Sequence, residues 1–230
     1  MAAPTKRLIT AIDTPDIARA RELITAVAPH CAMIKLGLEI FATLGPAAFE
    51  TALPHRVFLD VKLHDIPNTV AGAIRALLPH CPALLTIHAA GGAAMIEAAR
   101  HAAGTADHRP LILAVTVLTS IDAATLTATG VADGPRAQVL RLARLALSSG
   151  ADGLVCSADE ITALRDTFGP APILVVPGIR PAGTALGDQA RVATPQDAVA
   201  RGASYIVVGR PITAAADPAA AAAAIAQSIV

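Results

Sequence analysis

The chain has 230 residues, and its 18 lysines and arginines match its 18 aspartates and glutamates for a formal net charge of zero. That balance argues against a general nucleic-acid or anionic-membrane binder, and with no tryptophan, one tyrosine and four phenylalanines there is little surface for base stacking. Much of the hydrophobic content is alanine, so the core is expected to use small and branched side chains, within one domain over residues 1–230.

In chain order, short apolar runs alternate with Ala/Leu-rich stretches. The pattern predicts strands over 8–13, 33–38, 56–63, 84–88, 111–118, 153–157, 173–178 and 205–209. Helices are predicted over 15–28, 45–53, 67–78, 92–103, 135–149, 159–167, 195–201 and 217–229. The last opens on Asp217-Pro218, a cap and a first-turn proline. Strands alternating with helices indicate parallel βαβ units, and eight of them predict an α/β protein of the (β/α)8 TIM-barrel class, with a doubly wound open sheet as the competing architecture. Residues 180–194 contain Pro181, Gly183, Gly187 and Asp188 without apolar periodicity and are expected to form a long functional loop.

Cys31, Cys81 and Cys156 are odd in number and widely spaced, which predicts a reduced, cytoplasmic setting. The N-terminal segment lacks a signal-peptide apolar core, and no uncharged apolar run is long enough to span a bilayer.

The most informative stretch is DVKLHDIPNT, from Asp60 to Thr69, at the end of the apolar run 56–59. Alternation along a strand turns Asp60, Lys62 and His64 to one side. Charges on the core side of a strand are costly unless paired, so a cation between the carboxylates of Asp60 and Asp65 is either a structural ion cluster or a catalytic one. In a barrel, chemistry gathers at the C-terminal ends of strands. Asp13, Lys35, His88 and Thr119 fall at such ends, as do Arg180 after strand 7 and Gly209-Arg210 after strand 8. Glycine lets backbone N–H groups approach a ligand and arginine matches phosphate oxygens, so the last two strand ends read as a phosphate site. Blander readings also exist. Lys35 could snorkel to the surface, Asp13 could cap the helix that follows Pro15, and His64 and His88 fit hydrogen-bonded supporting histidines better than any compact metal motif.

The segment from Asp60 to Thr69 resembles the signature of the orotidine 5′-phosphate decarboxylase family. The resemblance runs over almost the whole chain. Ala11-Ile12-Asp13, the ILE-LYS-LEU-GLY run at 34–37, Thr119-Ser120, Arg180-Pro181, Gly187-Asp188-Gln189 and Val208-Gly209-Arg210 fall in the family's order. It implies decarboxylation of orotidine 5′-monophosphate to uridine 5′-monophosphate in pyrimidine biosynthesis, without metal or organic cofactor. It also implies a homodimer with shared active sites. By resemblance, Lys62 is the proton donor, Asp60 sits near the departing carboxylate, and Asp65 and Thr69 reach in from the partner. Asp13 and Lys35 hold the ribose, Lys35 also joins Asp60, Lys62 and Asp65 in the catalytic charge network, Thr119 lies by the pyrimidine, and Arg180, Gln189, Gly209 and Arg210 bind the phosphate. One departure stands out. Some members carry a tyrosine two residues after the loop glutamine, where this chain has Arg191. The rival readings are a magnesium-dependent sugar-phosphate decarboxylase or aldolase of the same barrel group, and a non-catalytic phosphate-ligand sensor.

Overall fold

The computed structural model describes residues 6–105, 108–181 and 193–229. Apolar runs become the strands β1 (Leu8–Ile12), β2 (Met33–Leu36), β3 (Val57–Leu63), β4 (Leu84–His88), β5 (Leu111–Val115), β6 (Gly153–Val155), β7 (Ile173–Val176) and β8 (Tyr205–Val208). Neighbours in sequence are neighbours in space, every pairing is parallel, and β8 returns to β1. The closed ring decides for the barrel over the doubly wound sheet.

The helices among the described residues are α1 (Ile17–Val27), α2 (Leu38–Leu44), α3 (Ala48–Ala52), α4 (Pro67–Leu77), α5 (Ala93–Ala103), α6 (Ala123–Ala128), α7 (Pro135–Ser148), α8 (Ile161–Phe168), α9 (Pro195–Ala200), α10 (Arg210–Thr213) and α11 (Pro218–Gln227). Their ends follow local chemistry. The Asp16 carboxylate accepts the Arg19 backbone N–H at the start of α1, and Asp217 does the same for Ala220 before α11. Proline occupies the first turn of α4, α7, α9 and α11, where its missing N–H is no loss. In α1 the buried positions Ala20, Leu23, Ile24 and Val27 repeat at helical spacing and face the barrel.

The core has two layers. Inside the barrel lie Ile9, Met33, Phe58, Leu84, Leu113, Ile173, Val175 and Val207. Between barrel and helices lies a larger shell that includes Ile34, Leu59, Leu85, Ile112, Leu154 and Ile206. The two sets alternate along each strand, as a sheet buried on both faces requires. Each fully buried Leu or Ile contributes roughly 1.5–3 kcal/mol. Alanines such as Ala20, Ala99, Ala143 and Ala222 are fully buried in that shell, so small side chains here let helices sit close to the sheet.

Several boundaries differ from expectation. β2, β5, β6 and β7 each stop two or three residues early, although single backbone bonds still run from Thr116 to Val155 and from Cys156 to Val175 just beyond the ends of β5 and β6. The helix predicted over 45–53 is interrupted at Gly45-Pro46, leaving α3, while α2 takes residues assigned partly to strand 2. The short helices α6 and α10 had no predicted counterpart; four to six residues carry too little periodicity to read.

Candidate active site

On the inner face of β3, Phe58 closes the barrel interior and Asp60 is the next residue on that face. Lys35, inward on β2 beyond Met33, reaches Asp60 Oδ2 at 3.1 Å. Lys62 reaches Asp60 Oδ1 at 2.9 Å. The expected cation between two carboxylates is therefore inverted within this chain: one carboxylate sits between two ammonium groups. Lys35 is only 13% exposed at its side chain, which excludes the snorkelling reading.

Burial is the largest influence on Asp60 and by itself opposes ionisation. The charges of Lys35 and Lys62, with their hydrogen bonds, outweigh it and hold the carboxyl below the ordinary carboxylate range. Asp60 is thus a fixed anion, and it holds both lysines at the rim.

A hydroxyl from β4 completes the arrangement. Thr86, fully buried, donates to Asp60 Oδ1 at 3.1 Å and accepts the Lys62 backbone N–H at 2.9 Å. Lys62 has φ +49°, a left-handed backbone that costs a non-glycine residue about 1–3 kcal/mol. The β3–β4 register shifts between Leu59 and Leu63, so strict alternation ends here. The bond to Thr86 replaces the ladder bond that this shift removes. Sequence reasoning passed over Thr86, although a lone hydroxyl at the inward position between Leu84 and His88 was a signal.

Asp13, just past β1, accepts the Ile40 backbone N–H at 3.0 Å through Oδ1. It caps α2, whereas Asp16 takes the role at α1 once considered for Asp13. A Cβ on Gly37 would overlap the Asp13 carboxylate, so that position accepts only glycine without displacement. Asp13, Lys35 and Asp60 line a cleft of about 540 Å³ together with Arg180, Gly209 and Arg210. This is the size of a small-ligand site. Arg19 also lines it and had not been singled out. Burial, followed by the nearby charge of Arg210, lowers the pKa of Arg180. Two guanidinium groups that repel one another in the lining of one cleft mark a place for an anion.

Beside Lys62, His64 and His88 stack with ring centres 5.2 Å apart. Burial, then the charges of His64 and Lys62, lower the His88 pKa. Among the described residues its buried Nδ1 has no hydrogen-bond partner.

Residues 6–225 match the model of the family described as orotidine 5′-phosphate decarboxylase / HUMPS. The chain belongs to that family. It is 57% identical over 228 residues to orotidine 5′-phosphate decarboxylase from Anaeromyxobacter sp. (strain K), covering 98% of this chain and 99% of the relative. It is 54% identical over 225 residues to the enzyme of that name from Halorhodospira halophila, covering 97% and 95%. The crystal structure of orotidine 5′-phosphate decarboxylase from Lactobacillus acidophilus superposes with a TM-score of 0.84 at 36% identity, covering 97% of this chain and 99% of that one.

The remaining residues that the decarboxylase resemblance singled out are not gathered into one cluster in this chain. Asp65 is exposed, and its carboxylate accepts only the N–H of its neighbour Ile66, at 2.7 Å, among the described residues. Thr69 is exposed on the first turn of α4. Thr119 lies in the turn after β5, four residues beyond the strand's end. The Arg180 backbone N–H donates to Ala193 at 3.0 Å and Ile179 bridges Ala193, so the two ends of the predicted loop are joined. Gln189 and Arg191 lie outside the described residues.

Proposed function

We propose that this chain, a single-domain barrel, decarboxylates orotidine 5′-monophosphate to uridine 5′-monophosphate, the last step in making the pyrimidine nucleotide, with Lys62 as proton donor. The observation that carries the mechanism is the Lys35–Asp60–Lys62 chain of contacts at 3.1 and 2.9 Å, of which Lys35 and Asp60 line the same cleft as Arg180 and Arg210.

The chemistry follows from charge. When the bond from the ring to the carboxylate breaks, carbon dioxide departs and the electron pair stays on the ring carbon. That pair lies in the ring plane, where the π system cannot delocalise it. An ammonium a few ångströms away stabilises it far better in a desolvated cleft than in water. Lys62 then gives its proton to that carbon and regains one from solvent. Asp60 serves two ends in this scheme. It fixes Lys62, and as a permanent anion it lies where the substrate carboxylate would be pressed toward leaving. Asp13 and Lys35 suit the ribose hydroxyls and Thr119 the pyrimidine. Arg180, Gln189, Gly209 and Arg210 suit the phosphate, whose binding energy is spent on orientation.

We also infer a homodimer with shared sites. Ile66 is 67% exposed, and Asp65 and Thr69 on either side of it are exposed as well. A large exposed apolar side chain between two exposed polar residues at the site's rim is suited to a partner surface. A cytoplasmic location is supported by three free cysteines, and no described helix is long and apolar enough to cross a membrane.

The magnesium-dependent rival is disfavoured because both oxygens of Asp60 already serve lysines, and the curated relatives carry the decarboxylase name. The test is loss of the orotate ultraviolet chromophore with orotidine 5′-monophosphate in chelator-containing buffer. Full turnover is expected. Activity that vanishes on chelation would favour the rival, and binding of uridine 5′-monophosphate without turnover of the substrate would favour the sensor.

A further inference from the structure

The opposite, N-terminal face of the barrel holds a second and larger cavity, of about 890 Å³ against about 540 Å³ for the cleft above. Four cationic side chains line it: Lys6 and Arg7 ahead of β1, Arg56 ahead of β3, and Arg165 from α8. No carboxylate is among its described lining residues.

The cations there are held by neutral partners. Lys6 donates to the Pro29 carbonyl at 2.8 Å and Arg7 to that of Ala203 at 3.1 Å. Arg165 donates to the carbonyls of Gly202, Gly169 and Pro172 and to the Ser204 hydroxyl, at 2.8–3.2 Å. Arg56 is exposed, and among the described residues its guanidinium makes no hydrogen bond or ion pair, while its backbone carbonyl accepts the Ile34 N–H at 3.0 Å. Carbonyl oxygens satisfy donors without cancelling charge. The contrast with Arg109 on the same face is direct. Arg109 is bound at both ends of its fork by Asp152, at 2.6 and 2.8 Å, and it does not line the cavity. Where this face needed neutralisation for structure, a carboxylate was supplied. Around the cavity it was not, although the chain as a whole is neutral.

We propose that this cavity is an anion site separate from the active site, and that it takes a small molecule with two or more linked phosphate groups. A single phosphate engages one or two cations. Four, spread around the mouth from the β1, β3 and β7–β8 sides, match charges distributed along a chain, and guanidinium forks suit phosphate oxygens. The field from uncompensated like charges at a concave surface draws such an ion in.

The test is calorimetric titration with inorganic tripolyphosphate at low ionic strength. It uses an Arg180→Gln/Arg210→Gln protein, in which the active-site anion position is disabled. A single equivalent is expected to bind, with orthophosphate at least about tenfold weaker. Adding Arg56→Glu, an exposed change that leaves the thermal melt in place, should weaken tripolyphosphate about tenfold. The Arg56→Glu change in the parent protein should leave decarboxylation unaltered. No binding to the Arg180→Gln/Arg210→Gln protein, affinity indifferent to Arg56→Glu, or orthophosphate as tight as tripolyphosphate would each overturn the assignment. Should the double variant not fold, the parent protein is titrated instead: two equivalents falling to one on Arg56→Glu support the site, and an unchanged stoichiometry and affinity refute it.

Discussion

Thr86 holds Lys62 from the neighbouring strand: its hydroxyl accepts the Lys62 backbone N–H at 2.9 Å while donating to Asp60 at 3.1 Å. One buried oxygen thereby sets both the left-handed turn that aims Lys62 and the orientation of the carboxylate that grips its ammonium. Thr86→Val keeps the shape and removes both bonds. Turnover should fall about tenfold, near 1.4 kcal/mol, with KM changed less, because positioning and not binding is lost. Thr86→Ser should restore most of it. Steady-state kinetics on the three proteins check this, and a valine variant with parental kcat would remove Thr86 from the site's machinery.

Lys62→Ala deletes the proposed proton donor and the charge facing the departing electron pair. The loss should exceed about 10³-fold in kcat, while uridine 5′-monophosphate still binds through the arginines of the cleft. Calorimetry with the nucleotide and a chromophore assay measure the two effects separately. Normal turnover would mean that another group protonates the ring.

Arg210 belongs to the phosphate end. Arg210→Ala should raise KM about 10- to 100-fold, the worth of a charge-assisted hydrogen bond. If both kinetic parameters match those of the parent, the phosphate lies elsewhere.

Among the described residues, the Asp65 carboxylate makes only a local hydrogen bond within its own chain, at 2.7 Å to the Ile66 N–H. If it acts across a subunit boundary, inactive Lys62→Ala and inactive Asp65→Ala proteins should regain activity on mixing, through hybrids that assemble one intact site of their two. A hybrid as dead as its parents would show that Asp65 serves its own subunit.

Acid should lower the protein's stability over two pH ranges. His88 has a folded pKa below its ordinary 6.5, so as pH falls past 6.5 the unfolded chain takes up a proton that the folded one refuses. Stability then declines with pH below that point and is unaffected by His88 above it. Asp60, lowered from 3.8, adds stability at all higher pH and gives it up only as pH drops through its folded value. Urea midpoints from pH 8 to 4 should therefore slope downward below about 6.5, and His88→Phe should flatten that first slope by at most one proton's worth. An unchanged slope in the variant would place the titrating group elsewhere.

Much of this was legible beforehand for local reasons. Periodicity located the strands and the longer helices because burial on both faces of a parallel sheet imposes continuous apolar runs. Asp60 and Lys62 stood out because alternation turns two charges inward. Other features depended on neighbours distant in the chain. Lys35 stood at a candidate strand end, but its contact with Asp60 is set only when β2 lies beside β3. Thr86 reads as an ordinary threonine until the register shift at Leu59–Leu63 leaves the Lys62 N–H without a ladder partner. Arg56, Arg7 and Arg165 are far apart in sequence and meet only because their segments converge on one end of the ring.

The order of residues by itself determined the alternating elements, the charged signature after the third strand and the family those motifs resemble, since each of these rests on spacing along one segment. Only the closed barrel decided that a single carboxylate serves two lysines, which hydroxyl orients them and where unneutralised cations gather on the far face, because those relations depend on distances between strands that no single segment encodes.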